Sequence, residues 1–212
     1  MTKNNGQEAT TIERILKELE EKIDEQQFVK YLNEILSAIE QLEKTEAIKI
    51  FQKLIDEEKE LLRSVAIYWL GELQAKETEE KIINSLRNDE STIVRSTAVQ
   101  ALGKLGSTAA IQALITSLQR DKEEQVRSWA ALTLGDFTLE RVINVLIQAT
   151  KQDKEREVKT SARWSLNAIA KKMGYKSYYR LLSDLQAEET KKQKITCRFS
   201  EENKLERKAN KN

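Results

Sequence analysis

Apolar and small residues return along the middle of the chain at a fixed step of 32. The columns are Leu62, Val94, Val126 and Val158; Ala66, Ala98, Ala130 and Ala162; and Leu70, Leu102, Leu134 and Leu166. Gly71, Gly103 and Gly135 run in step with Asn167, and Leu73, Leu105, Phe137 and Ile169 follow. No insertion breaks the register, which marks an array of repeats rather than a chance composition. In the unit 90–121, Val94, Ala98, Leu102 and Leu105 fall at helical spacing and predict a first helix with one apolar face. Ile111, Leu114, Ile115 and Leu118 predict a second, matched by Ile82, Ile83 and Leu86 before it and by Ile143, Leu146 and Ile147 after it. Gly106, Ser107 and Thr108 supply the break between them, with Ser107 or Thr108 placed to cap the second helix. Helices this short cannot bury their stripes alone, so the units must stack on one another. The fold expected is all-α, a solenoid of helical hairpins, and the small Ala column predicts a close approach within each hairpin.

Both ends of the array are degenerate. Residues 1–9 are polar and carry no pattern. Thr10 and Glu13 have capping-box spacing ahead of Ile12, Ile15, Leu16, Leu19 and Ile23, and Ile50, Phe51 and Leu54 stand in register with later second helices, so 10–60 reads as capping helices plus a degenerate unit. The repeats cover 61–185. Beyond Leu185 the period is lost, and 186–212 reads as a charged tail.

The motif V-R-x-x-A-x-x-x-L-G-x-L, present at Val94–Leu105 and nearly so at Val126–Phe137, resembles the HEAT repeat, in particular the short-repeat kind of phycobilisome-lyase-like proteins. The resemblance implies a ladder of charges in which an acidic residue pairs with a basic residue six positions on. Glu57 and Arg63, Asp89 and Arg95, Asp121 and Arg127, and Asp153 and Lys159 have that spacing, so these charges are expected to be structural. It also implies that the second helices line the concave side of the array.

Composition narrows the function. The chain has 212 residues, no proline, 33% charged residues and a net charge of +1, which lacks the basic footprint of a nucleic-acid binder. The charge is uneven: 1–60 holds 9 basic and 15 acidic residues, 190–212 holds 8 and 3. The basic tail admits a salt-sensitive contact with anionic surfaces, weakened by Glu201, Glu202 and Glu206. There is no histidine, which removes the commonest general base and most zinc sites. The six glycines form no phosphate loop. No catalytic residue, metal site or cofactor is therefore expected. Cys197 stands alone and implies a reducing compartment. With no apolar run of membrane length and a polar opening, MTKNNGQEAT, a cytoplasmic protein without membrane insertion is expected.

What remains is surface. On the second helices, opposite their apolar stripes, lie Ala113, Thr116 and Arg120, with Lys81, Asn84 and Asn88, Val145, Gln148 and Gln152, and Ser177, Arg180 and Asp184 at matching positions. Lys81, Asn84, Thr116, Arg120, Gln148, Gln152 and Arg180 are the candidates for a concave, nearly neutral wall that suits a protein partner. On the first helices Tyr68, Gln100, Leu132 and Trp164 stand 32 apart, and Tyr68, Leu132 and Trp164 form a candidate convex apolar patch. The leading expectation is a non-enzymatic adaptor or scaffold that binds a protein. The resemblance implies an alternative, a phycobilin lyase or lyase-like chaperone, in which Trp164, Tyr175, Tyr178 and Tyr179 would flank a bilin.

Overall fold

The computed structural model describes residues 42–187 together with Arg14, Lys30, Glu34, Ser37 and Ala38. The boundaries expected at 9 and 10, the capping helix before residue 30 and the tail with Cys197 lie outside the described residues. Within them the regular structure is helical: α1 (Lys44–Leu54), α2 (Glu60–Glu72), α3 (Glu79–Asn88), α4 (Thr92–Leu105), α5 (Ile111–Arg120), α6 (Glu124–Leu134), α7 (Glu140–Gln152) and α8 (Arg156–Lys172), followed by a helical stretch over 178–187. A single 3-10 turn, Lys76–Thr78, precedes α3.

The apolar columns explain this order. Val94, Val126 and Val158, the four alanines and Leu70, Leu102, Leu134 and Leu166 are all buried to completion. They meet Ile82, Leu86, Ile111, Leu114 and Leu146 from the second helices in one continuous core. Burying each Leu, Ile or Val contributes about 1.5–3 kcal/mol, which no hairpin collects without its neighbours. Gly106, at φ +63°, ends α4 in the left-handed region. The Ser107 hydroxyl then accepts the N–H groups of Ala109 and Ala110, so the break lies where the sequence puts it.

The helices form two layers, and the packing between them corrects the expected pairing. Each second helix packs most extensively on the first helix that follows it: α3 on α4, α5 on α6, α7 on α8. The close hairpins are thus 79–105, 111–134 and 140–172, joined by three-residue loops, rather than a first helix with the second helix after it. The small Ala column consequently serves the interior between the layers rather than one hairpin.

The two layers are unequally spaced. The first helices α2, α4, α6 and α8 touch their neighbours along much of their length, whereas α3, α5 and α7 meet one another sparsely. The glycine column permits that approach. A Cβ on Gly71 would come within 2.9 Å of the Ala101 backbone, one on Gly103 within 2.8 Å of Thr133 and one on Gly135 within 2.8 Å of Ser165. α2, α4, α6 and α8 form the closely spaced layer, called inner below, and α3, α5 and α7 the widely spaced one, called outer. At the end of the column Asn167 replaces glycine, and its Oδ1 accepts the Tyr178 N–H. The side chain that occupies the approach space there caps the closing helix.

Candidate functional site

The charge ladder exists, with a different register from the one expected. Arg95 donates through Nε and Nη2 to the two carboxylate oxygens of Asp121, at 2.8 and 2.9 Å, 26 positions on. Its Nη1 donates to the backbone carbonyls of Asp89 and Glu90. Arg63 with Asp89 and Arg127 with Asp153 repeat this geometry. The acid six positions before each arginine thus supplies a carbonyl, and the acid 26 positions after it supplies the carboxylate. Asp89, Asp121 and Asp153 each accept one further N–H, from Ser91, Glu123 and Glu155, at the starts of α4, α6 and α8. One arginine therefore ties two successive loops together. Lys159 stands in the basic column, but the residue 26 positions on is Leu185 rather than an acid, and the ladder ends there.

Electrostatics follow from this geometry. Hydrogen bonding to the partner aspartate, against burial, raises the pKa of Arg63, Arg95 and Arg127. Burial alone would raise the carboxyls of Asp89 and Asp153. Hydrogen bonds from Arg63 and the Ser91 N–H, and from Arg127 and the Glu155 N–H, outweigh it and hold both below the usual carboxylate range. These groups are satisfied and structural.

Several residues expected on one polar wall are occupied by neighbours. Lys81 pairs with Asp56 at 2.6 Å; Asn84 accepts from Asn88; Thr116 donates to the Gln112 carbonyl of its own helix; Arg180 pairs with Asp184 at 3.4 Å. Ala113 and Val145, read as exposed, are buried, because a helix between two neighbours buries an arc wider than its apolar stripe. Arg120, Gln148 and Gln152 come together across α5 and α7. They line a groove of about 410 Å3 floored by Leu118, Val145 and Ala149, which the wide spacing of the outer layer leaves open. Gln119, on the same rim, escaped the sequence reading because it sits beside Arg120 rather than in its column.

The inner layer presents the apolar surface. Trp164 is 61% exposed and Tyr68 45%, while Leu132 is half-buried. Ile93 at 59% and Trp129 at 37% join them on α4 and α6; neither belongs to the column of four, yet Trp129 precedes Leu132 by three positions on the same face. Tyr68 is braced: Lys104 Nζ lies 4.9 Å from its ring centroid, and Trp69 meets it edge-on. Lys104 also pairs with Glu72, which links α2 to α4 at this point. Of the tyrosines assigned to the bilin-flanking role, Tyr178 is buried against Tyr179, with ring centroids 4.0 Å apart, and Tyr179 is exposed. Among the described residues no cluster of His, Cys, Asp or Glu is placed to hold a metal, and no helix is long and apolar enough to cross a membrane.

Comparison with known proteins agrees with the architecture. Residues 79–167 match the family described as HEAT repeats, beginning at α3, the start of the first close hairpin of the array's middle. A chain from the complex of CpcE and CpcF of phycocyanin lyase from Nostoc sp. PCC7120 is similar at 24% identity and a TM-score of 0.50. The match covers 61% of this chain and 54% of that one, about half its length. Human deoxyhypusine hydroxylase aligns over 77% of this chain and 86% of its own at 15% identity and a TM-score of 0.34. No curated protein matches. Residues 79–167 thus match HEAT repeats, within an all-α array whose fold is like that of the phycocyanin lyase chain.

Proposed function

We propose that the protein is a HEAT-repeat adaptor that holds a protein partner against its inner layer. The observation that carries this reading is the row of exposed apolar side chains Tyr68, Ile93, Trp129 and Trp164, with half-buried Leu132 among them, on the closely spaced first helices. Exposed aromatic groups gathered on one layer favour interaction over plain solvation. The experiment is capture of partners by the full chain beside the Tyr68→Ser/Trp164→Ser variant, with complexes resolved by crosslinking and mass spectrometry. A stoichiometric partner lost by the variant supports the reading; equal capture by both removes the inner face as its site.

A second reading, assistance to bilin attachment or removal on phycobiliproteins, is supported by the likeness to the phycocyanin lyase chain. Exposed Trp164 and Tyr179 offer flat surfaces to a tetrapyrrole. A shift in visible absorbance when a bilin is added to the protein favours this reading, and an unchanged spectrum together with a captured protein favours the adaptor.

A further inference from the structure

A second surface of different chemistry lies on the outer layer, between α5 and α7. We infer that this groove is a docking site for an extended acidic segment of a protein partner, separate from the aromatic inner face. Its floor is apolar, from Leu118, Val145 and Ala149, and its rim carries Gln119, Arg120, Gln148 and Gln152. None of these four side chains makes a hydrogen bond or ion pair with another described residue, whereas Asn84 and Arg180 in the Gln148 column, and Asn88 and Asp184 in the Arg120 column, are all engaged. Carboxamides both donate and accept, so they match the N–H and C=O of an extended backbone that has no internal hydrogen bonds.

Charge selects the partner. The groove continues into a cleft of about 470 Å3 that adds Lys122 and Lys154. The carboxylates lining both spaces are Asp121 and Asp153, and Arg95 and Arg127 neutralise them from below. Lys154 leans toward Glu155 at 3.9 Å. Arg120 and Lys122 are left with no ion pair among the described residues. Helix dipoles do not cancel this excess: the C-terminal ends of α5 and α7 share the edge with the N-terminal ends of α6 and α8, and the opposed partial charges offset one another. An apolar floor, amides on the rim and two cations outside any ion pair, with only Glu90 on their far flank beyond the neutralised aspartates, fit a strand bearing Asp or Glu.

The test pans a random 12-residue peptide display library on the immobilised full chain and measures recovered peptides by fluorescence polarisation. Enrichment of Asp and Glu, with at least a tenfold loss of affinity for Arg120→Gln/Lys122→Gln and none for Tyr68→Ser/Trp164→Ser, is the expected result. Peptides that are neutral or basic, peptides indifferent to the Gln pair, or no enrichment at all would overturn it. Displacement by heparin or oligo(dT) as effective as by an unlabelled acidic peptide would also overturn it, reducing the groove to a general anion surface. Apolar peptides lost only with the Tyr68 and Trp164 substitutions would sustain the adaptor reading while sinking this one.

Discussion

The inner and outer layers are built from one 32-residue repeat, yet they use it differently. Inside, glycine and small residues bring helices so close that a single added methyl would meet a neighbour at 2.8–2.9 Å. Outside, helices of similar length stand apart and leave a groove of about 410 Å3. The difference shows that regular spacing in the sequence sets a scaffold, while exposure and pairing decide which positions are left for partners. Arg120 and Arg127 make the point on one stretch of chain. Arg127 is buried and bonded to Asp153 and to two carbonyls; Arg120, seven positions earlier, has no partner among the described residues.

The largest expected effect is at the ladder that ties the layers at their shared edge. Arg127→Ala strands the Asp153 carboxylate, and breaking such a buried pair costs about 3–5 kcal/mol. Arg120→Ala should stay within about 0.5 kcal/mol, as surface substitutions do. Urea unfolding followed by helical ellipticity measures both, and equal losses would erase the distinction between scaffold and free cation.

Next comes the inner spacing. Gly71→Ala gains up to about 1 kcal/mol of helix propensity but forces a Cβ against the Ala101 backbone, which no side-chain rotation relieves. Overpacking of this kind costs about 1–3 kcal/mol, and a net loss is expected. Thr116→Ala on the outer layer should change stability by about 0.5 kcal/mol or less. Thermal unfolding of the two variants checks the contrast.

Acid should act through the ladder. The carboxyls of Asp89 and Asp153 are held below their unfolded values, so the folded state favours their ionised form. That stability is fully present above the unfolded pKa of about 3.9 and is lost as pH falls from there through the folded values. Unfolding free energy should decline over that window, and Asp153→Asn should flatten the decline at the expense of lower stability near neutrality. A slope unchanged by this substitution would show that other carboxyls carry the acid sensitivity.

The smallest effect on stability is expected on the inner face itself. Trp164→Ser should cost about 0.5 kcal/mol or less, since the ring is mostly solvated. Tyr68→Ser should cost somewhat more, on the order of 1 kcal/mol, through loss of the Lys104 contact and the edge contact with Trp69. Both are measured in the same urea series.

How much of this was legible in the letters can be traced residue by residue. The helices, their breaks at Gly106 and Ser107 and the buried columns follow from periodicity, since an apolar residue every three or four positions has one physical use in a stacked helical array. The partner of each arginine did not follow. Asp89 and Asp121 both lie beside Arg95, one offering a carbonyl and one a carboxylate, and spacing along the chain cannot say which atoms face the guanidinium. The close spacing of the first helices was not legible either: the glycine column signals it only once Ala101, Thr133 and Ser165 are seen opposite it. Ala113 and Val145 looked exposed because an amphipathic stripe understates what neighbours on both sides cover. The groove at Arg120, Gln148 and Gln152 was half visible: its columns were legible, whereas the absence of pairing that sets it apart from Lys81, Asn84 and Arg180 was not.

The adaptor reading proposes that the closely spaced first helices form the inside of a bend. Pulsed electron–electron spin resonance measures it directly on a Cys197→Ser background. One nitroxide pair is placed at Ile93→Cys and Glu157→Cys on the first helices, another at Asn84→Cys and Gln148→Cys on the second helices, each pair 64 positions apart. The account predicts a clearly shorter mean distance for the pair at 93 and 157. An equal or longer distance there would put the second helices on the inside and leave the aromatic row on an outward face.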